Sequence, residues 1–213
     1  NQYSGSQPVI VNCVFSGNST GANGGGIANL WSANPTVINS TFSLNAGPNG
    51  GGIVNLEGGG ATVRNSILWG NTGRAQIDLQ SGATISVTYS LIQGGYGLPG
   101  DHNLAVDPQF VDANGADNVA GTLDDNVRLL PISPARDAGS NAALPADVSD
   151  TDGDNDRIEQ LPLDAKGVAR VVSGIVDMGA YEVGDIAGLR VINSSPTPLG
   201  RTTFFTASVT SGM

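Results

Sequence analysis

The sequence predicts an all-β fold of the single-stranded parallel β-helix type. Three observations predict it: a repeat of 26 to 27 residues, short β-branched runs between Gly and Asn corners, and a composition poor in helix formers. The chain has 213 residues, of which 31 are glycine and only 13% are charged. A helix-rich protein carries more Leu, Glu, Lys and Ala, because these residues lose least when a helix forms. The length suits one domain with a hydrophobic core, with or without an appendage.

One eight-residue phrase sets the repeat length. VNCVFSGN at 11–18 returns as INSTFSLN at 38–45 and as RNSILWGN at 64–71, and VTYSLIQG at 87–94 is a degenerate fourth copy. Between these copies, GGGIANL at 24–30 returns as GGGIVNL at 50–56 and, more loosely, as AQIDL at 75–79. Each repeat therefore holds two or three short β-type runs separated by turn residues.

The repeats are expected to stack because a single repeat cannot cover its own apolar side chains. A single run cannot bury its apolar face, whereas coils stacked at about 4.8 Å pair in parallel and share one internal core. Phe15, Phe42 and Leu68 are then expected in one vertical column. Asn both donates and accepts hydrogen bonds and tolerates positive-φ corners, so the repeated asparagines are expected to form ladders. The ladder residues are Asn12, Asn39 and Asn65, and Asn18, Asn45 and Asn71. A β-sandwich with Gly-rich turns, the alternative, does not repeat residue identities at this spacing.

Charge divides the chain into three regions. Residues 1–100 carry no net charge and contain the coils. Residues 101–185 hold 17 acidic against five basic side chains and are rich in turns; we expect them to form terminal coils or a cap, with Leu129, Ile132 and Met178 among the sealing apolar contacts. Residues 186–213 read as two strands around a turn, a tail that completes its own domain or pairs with another copy to give an oligomer or fibre. Neither end resembles a natural terminus, so we expect a piece of a larger protein.

The overall charge excludes several classes of partner. A net charge of −10 with one Lys and eight scattered Arg opposes binding to nucleic acid or to an anionic membrane surface. No run of 18 apolar residues occurs, so the sequence predicts no membrane span. Cys13 is the one cysteine, which excludes a disulfide framework and favours a small buried residue on a strand.

The densest group of chemistry-bearing residues is DTDGDND at 150–156. Carboxylates at alternate positions around a Gly turn can converge on Ca²⁺, which takes six to eight oxygen ligands. A structural calcium ion and a solvated acidic loop are equally open interpretations. The expected calcium ligands are Asp150, Asp152, Asp154 and Asp156. A second, weaker loop of the same kind contains Asp112, Asn114 and Asp117.

Two functions that require a ligand compete with a structural role. Trp31 lies at a corner of the repeat and would offer a stacking surface for a glycan if it is exposed. Parallel β-helices also host polysaccharide lyases and hydrolases, and a glycosidase needs two carboxylates about 5 to 9.5 Å apart. The repeats offer only Glu57 and Asp78, without a cluster of His, Arg and Lys around them. His102, the one histidine, has no G-x-S-x-G nucleophile motif to serve. No catalytic residue is predicted.

Several phrases carry a resemblance to known families. The GGGI and NSxFxxN phrases resemble repeats of secreted right-handed β-helix proteins related to the polymorphic outer-membrane proteins of bacteria. DPQFVD at 107–112, VRLLPISPARDAG at 127–139 and VDMGAYE at 176–182 resemble the domain called choice-of-anchor Q. The run from 188 to 209 is similar to the opening strands of an Ig-like domain of the polycystic-kidney-disease type. The resemblance implies a right-handed helix, an extracellular place on a bacterial cell surface with an anchoring or sorting segment, and no defined catalytic activity.

These observations together predict a non-catalytic structural protein of the cell surface. It would act as a rigid stalk or assembly subunit, joined to its own copies through residues 186–213. A carbohydrate-binding module is the first alternative, and a polysaccharide-degrading enzyme is the second.

Overall fold

A computed structural model describes residues 5–97 and 101–184. The chain divides into two units, residues 1–183 and 184–213, and the predicted strand tail at 186–213 lies outside the described residues. The all-β prediction is confirmed: the described part contains 13 strands and one short 3-10 helix at Asn141–Ala143. No helix in this part is long and apolar enough to cross a bilayer.

Short strands recur in groups of three, one group for each coil of the backbone. The first coil holds β1 (Val9–Val11), β2 (Val14–Ser16) and β3 (Ile27–Asn29). The second holds β4 (Thr36–Ile38), β5 (Thr41–Ser43) and β6 (Gly50–Asn55). The third holds β7 (Thr62–Arg64), β8 (Ile67–Trp69) and β9 (Ala75–Leu79), and β10 (Ser86–Thr88) and β11 (Leu91–Ile92) begin the next.

Equivalent strands of successive coils pair in parallel and form three sheets. Sheet 1 is β1-β4-β7-β10, sheet 2 is β2-β5-β8-β11 and sheet 3 is β3-β6-β9. In sheet 2, Phe15 pairs with Phe42, Phe42 with Leu68, and Leu68 with Ile92. The rings of Phe15 and Phe42 are stacked with centroids 4.5 Å apart. The predicted column, and with it the parallel β-solenoid, is therefore confirmed.

The internal core contains about one apolar residue from each strand. Val37 and Val63 come from sheet 1, Phe42 and Leu68 from sheet 2, and Ile53 from sheet 3, all with an exposed fraction of 0%. Because only one residue of each three-residue strand points inward, the outward residues need their own cover or remain exposed.

The acidic region that follows the coils has two structural roles. Its first residues extend the solenoid, since Leu104 forms a parallel bridge to Leu91 at the end of sheet 2. The remainder, residues 105–184, is called the return segment here. It contains the antiparallel pair β12 (Phe110–Asp112) and β13 (Asn126–Leu129). Its contacts place the return segment along the flank of the solenoid.

Contacts of the return segment reach every coil. Asp125 accepts a hydrogen bond from the Ser16 hydroxyl of the first coil at 2.5 Å, and Ala180 donates its backbone N–H to Thr41 Oγ1 of the second at 3.0 Å. Gly179 donates to the carbonyl of Asn65 in the third at 2.8 Å.

A second apolar cluster fixes the return segment on the outer face of sheet 2. Ile67 and Leu91 of that face pack with Leu129, Ala135 and Met178, all buried. Ile132 was expected among these sealing contacts, and this expectation is wrong, because its side chain is 78% exposed. It lies in the turn after β13, where Ser133 rather than Ile132 faces inward and donates to the carbonyl of Pro108.

Candidate metal centre

The predicted acidic loop lies in the return segment, closed at its base by two short backbone contacts. Ala146 and Gln160 form an antiparallel bridge, and Asp147 donates its N–H to the carbonyl of Glu159 at 2.9 Å. Residues 147 and 159 therefore face each other across the base, although they lie twelve positions apart in the sequence.

The structure brings five carboxylates of this loop into two overlapping groups. Asp150, Asp152 and Asp154 place one carboxylate oxygen each within 4.8 Å of one another, and Asp147, Asp152 and Glu159 do the same. Three of the four predicted ligands thus lie together, and Asp152 is shared by both groups.

The fourth predicted ligand, Asp156, belongs to neither group among the described residues. Its Oδ1 accepts the backbone N–H of Ile158 at 3.0 Å and that of Glu159 at 3.3 Å. Such bonds from a carboxylate to nearby backbone close a turn. Asp156 therefore shapes the loop where it approaches its base.

Asp147 is the ligand candidate that the sequence analysis missed. Its side chain is buried, with an exposed fraction of 1%. One oxygen, Oδ2, accepts from the backbone N–H and the hydroxyl of Thr151 at 2.7 and 2.8 Å. The other, Oδ1, is buried without a hydrogen-bond partner within the described part of the chain, and so is Glu159 Oε1. Asp147 differs in its burial from Asp152, Asp154 and Asp156, which are exposed, and no local sequence pattern reveals that burial.

Several carboxylates lie close together in the acidic loop, so negative charge is concentrated there. Desolvation raises the pKa of the Glu159 carboxyl, and the carboxylates of Asp154, Asp152, Asp156 and Asp147 raise it further. Like charges at this spacing repel one another unless a proton or a cation lies between them. The chemistry available here is the binding of a hard cation through oxygen ligands.

The second predicted loop has a different arrangement. Asp112 and Asp117 join neither acidic group of the described residues. Asp117 Oδ1 accepts the N–H of Val119 at 2.8 Å, and Asp124 accepts from Thr122 Oγ1 at 2.5 Å and from the N–H of Asp117 at 3.1 Å. These bonds lower the pKa of Asp124. Asn114 lies in the turn that follows β12, and its neighbour Gly115 donates its backbone N–H to the carbonyl of Asp112. The carboxylates of Asp117 and Asp124 thus receive their donors from the loop itself.

One of the two asparagine columns joins coil to coil. Asn18 Nδ2 donates to Asn45 Oδ1, and Asn45 Nδ2 donates to Asn71 Oδ1, both at 2.8 Å. The backbone N–H groups of Asn18 and Asn45 donate to the same oxygens at 3.0 Å. Asn45 is fully buried. Its side-chain amide therefore supplies the hydrogen bonds that the polar groups of Asn18 and Asn71 would otherwise make to water.

The other asparagine column binds the return segment. Its members occupy left-handed corners, with φ of 52° at Asn12, 47° at Asn39 and 48° at Asn65. Asn12 Nδ2 donates to the carbonyl of Leu163 at 2.7 Å. Asn65 Oδ1 accepts the N–H of Ser140 at 2.8 Å, and its Nδ2 donates to the Ser140 carbonyl at 3.0 Å. The side chains of Asn12 and Asn65, which were expected to link coils, therefore also bind the return segment to the solenoid.

A serine ladder, which the sequence analysis did not single out, lies beside this column. The hydroxyl of Ser40 accepts the N–H of Cys13, that of Ser66 accepts the N–H of Ser40, and that of Ser90 accepts the N–H of Ser66, at 3.1 to 3.2 Å. In the fourth coil, Tyr89 occupies the left-handed corner that Asn12, Asn39 and Asn65 occupy in the earlier coils. Its ring stacks on that of His102 with centroids 4.4 Å apart. The signal available for the serine ladder was the recurrence of Ser directly after the corner residue, as at Ser40, Ser66 and Ser90.

A buried charged cluster is the second group that sequence reasoning missed. Arg170 Nη2 lies 3.1 Å from Glu182 Oε2, and both side chains have an exposed fraction of 0%. The Arg170 guanidinium also donates to the carbonyls of Asp177, Gly179 and Ala180 at 3.0 to 3.1 Å. Asp177 in turn accepts the backbone N–H groups of Asp137 and Val183, and it lies in the phrase VDMGAYE.

Trp31, the candidate glycan contact, is half exposed at 50%. It sits at a corner with φ of 51°, and the equivalent corners of the next coils, Glu57 and Ser81, have φ of 53°. Glu57 is exposed at its corner, whereas Asp78 is 8% exposed and accepts from Gln80 Nε2 at 2.6 Å.

The fold and these contacts define a parallel β-solenoid with a non-repetitive acidic segment fastened to its flank. Comparison of the chain with protein families, with curated proteins and with solved structures finds no match.

Proposed function

We propose that this chain is a non-catalytic structural protein of a bacterial cell surface, a rigid stalk or assembly subunit. The observation that carries the proposal is the bridging of three coils by one segment. Asn12 binds Leu163, Thr41 binds Ala180, and Asn65 binds Ser140.

The mechanical consequence follows from the ordinary behaviour of solenoids. A repeat protein has contacts only between neighbouring repeats, so its coils can open one after another. Here a coil cannot leave its neighbours without also breaking its bonds to the return segment. A molecule built in this way is suited to hold its shape under load or under proteolysis.

The surface location and the self-association are supported by the sequence alone. The phrases that resemble the polymorphic outer-membrane repeats and the choice-of-anchor Q domain favour an extracellular bacterial setting with an anchor. Residues 186–213 favour strand pairing between copies. Loss of particles or filaments from electron micrographs when these residues are deleted would support this part, and unchanged assembly would contradict it.

Cooperative unfolding tests the structural role directly. We expect amide hydrogen exchange in residues 9–92 to show one common opening free energy across the three coils, because the return segment couples them. A gradient of protection along the coils, with the first coil opening alone, would contradict the proposal. A panel of polysaccharides should give no turnover, and turnover lost in Glu57→Gln or Asp78→Asn would establish the enzyme instead.

Glycan binding is the second candidate, and the exposure of Trp31 favours it. An exposed indole at a fixed corner can stack on the apolar face of a sugar ring. A glycan array that gives a signal with the wild type and none with Trp31→Ala would favour this function. Trp69→Phe, a partly buried strand position, is the matched control for loss of a tryptophan elsewhere in the fold.

A further inference from the structure

Asp147, at the base of the acidic loop, is buried and incompletely hydrogen-bonded. Its side chain is 1% exposed, and Oδ1 has no hydrogen-bond partner within the described residues. A buried carboxylate oxygen without a donor is costly, and native structures normally satisfy such groups with protein, water or an ion. Glu159, on the facing side of the loop base, is only partly buried, but its Oε1 atom is also buried and without a partner among the described residues.

We infer that Asp147, Asp152 and Glu159 form a Ca²⁺ site, with Asp147 as its buried anchor. Each residue offers one carboxylate oxygen, and the three oxygens lie within 4.8 Å of one another. Asp152 also belongs to the adjoining group with Asp150 and Asp154, so the exposed side of the site carries further carboxylates. The inference is independent of the structural role proposed above.

Calcium fits this donor set better than other divalent ions. The ligands are all carboxylate oxygens, which hard cations prefer, and zinc sites normally include His or Cys. Mg²⁺ demands a near-ideal octahedron, whereas Ca²⁺ accepts irregular sets and fills the remaining positions with water. Arg157, the basic residue of the loop, is exposed. Exposed loops of this kind bind Ca²⁺ with dissociation constants of about 10⁻⁴ to 10⁻³ M in extracellular modules.

The position of the site gives the ion a structural effect. Asp147 and Thr151 also line a cavity of about 720 Å³ between the return segment and the first coil, whose other walls include Val9, Val11 and Leu161. An ion that fixes Asp147 therefore fixes one wall of this cavity. We expect Ca²⁺ to hold in place the wall of this cavity that Asp147 and Thr151 form.

Isothermal titration of the full chain with CaCl₂, repeated with MgCl₂, tests the site. The wild type should show saturable Ca²⁺ binding and a rise in Tm with CaCl₂ that EGTA reverses. Glu159→Gln and Asp152→Asn should each weaken binding by about tenfold or more. Asp156→Asn is the matched control from the same loop, and it should leave the dissociation constant nearly unchanged because Asp156 belongs to neither acidic group of the described residues. Asp147→Asn should also weaken binding, with far-UV circular dichroism to establish that it folds.

Three results would overturn the inference. One is the absence of saturable Ca²⁺ binding up to about 10 mM, well above the expected range. Another is a strong loss in Asp154→Asn with no loss in Glu159→Gln, which would place the ion in the exposed loop alone. The third is an equal effect of Asp156→Asn and Glu159→Gln, which would show only diffuse attraction to negative charge.

Discussion

The guanidinium of Arg170 lies 3.1 Å from the carboxyl group of Glu182, and neither side chain is exposed to solvent. With its amide oxygen turned toward this guanidinium, Asn39 of the second coil accepts from Nε and Nη2, both at 3.1 Å. The pair therefore links the end of the return segment to the middle of the solenoid. Its charges are desolvated, so the cost of burying them makes this junction sensitive to pH and to substitution.

The stability of the fold should decrease as the pH is raised. Burial raises the pKa of Glu182 from 4.5 to about 8, against the opposing effect of Arg170, and burial also raises the pKa of Asp177. The native state therefore holds a proton that the unfolded chain releases. This contribution to stability is fully present below about pH 4.5 and is lost as the pH rises through about 8.

Urea unfolding at a series of pH values measures this effect. Between about pH 5 and pH 8 we expect the free energy of unfolding to fall by more than about 1.4 kcal/mol, the equivalent of one pKa unit. Glu182→Gln should make the dependence shallower, because an amide does not titrate. Glu57→Gln, an exposed carboxylate of the solenoid, should leave the slope as it is. A slope that is the same in all three proteins would refute the prediction.

Removal of the Arg170 side chain should detach the return segment. Arg170→Ala leaves Glu182 without its partner and three buried carbonyl groups without a donor. Leaving the buried partners of a charged group unsatisfied costs about 3–5 kcal/mol. Urea denaturation at constant pH gives the difference. Arg128→Ala, at an exposed position on β13, is the control and should cost less than about 0.5 kcal/mol. Similar losses in the two variants would contradict the role assigned to Arg170.

Asn45, the central residue of the ladder of Asn18, Asn45 and Asn71, should stabilise the fold more than an asparagine outside this ladder does. Asn45→Ala removes bonds to Asn18, Asn71 and the carbonyl of Phe15 from a site that is fully buried. We expect a loss of about 2–4 kcal/mol, since several buried partners are left unsatisfied. Asn23→Ala, which removes one bond to Asn49 at a partly exposed corner, should cost about 1 kcal/mol or less. Equal values from chemical denaturation would show that the ladder carries no special stability.

The Gly triplets should be intolerant of even one methyl group. A Cβ on Gly51 would lie 2.7 Å from both the backbone N and the backbone O of Thr72 in the next coil, and backbone atoms of a paired coil cannot move aside. Overpacking of this kind costs about 1–3 kcal/mol. Gly21→Ala meets no atom within 4 Å and should leave the Tm unchanged or slightly raised, because alanine restricts the unfolded chain. If Gly51→Ala has the same Tm as Gly21→Ala, the close approach of the coils is not limiting.

The solenoid could be predicted from the sequence because its contacts are periodic. Phe15 meets Phe42 and Asn18 meets Asn45 at a separation of one repeat, so each partner is visible as the same letter in the next copy. The corner geometry is local as well: Asn12, Asn39 and Asn65 adopt positive φ, which the short Asn side chain tolerates. In the acidic loop, the alternation of carboxylates in one short phrase predicted a group, and Asp150, Asp152 and Asp154 do lie together.

The contacts of the return segment with the solenoid could be learned only from the tertiary structure. Contacts such as Asn65 with Ser140, Thr41 with Ala180 and Asn12 with Leu163 join positions 75, 139 and 151 residues apart, and no second copy exists to reveal them. The burial of individual side chains was also decided by the tertiary structure. Asp152 is exposed and Asp147 is buried, although both are aspartates of one loop. Burial depends on which segments of the chain pack together. Asp147, Arg170 and Glu182 could therefore be identified as buried only from the packing of the return segment in the folded structure.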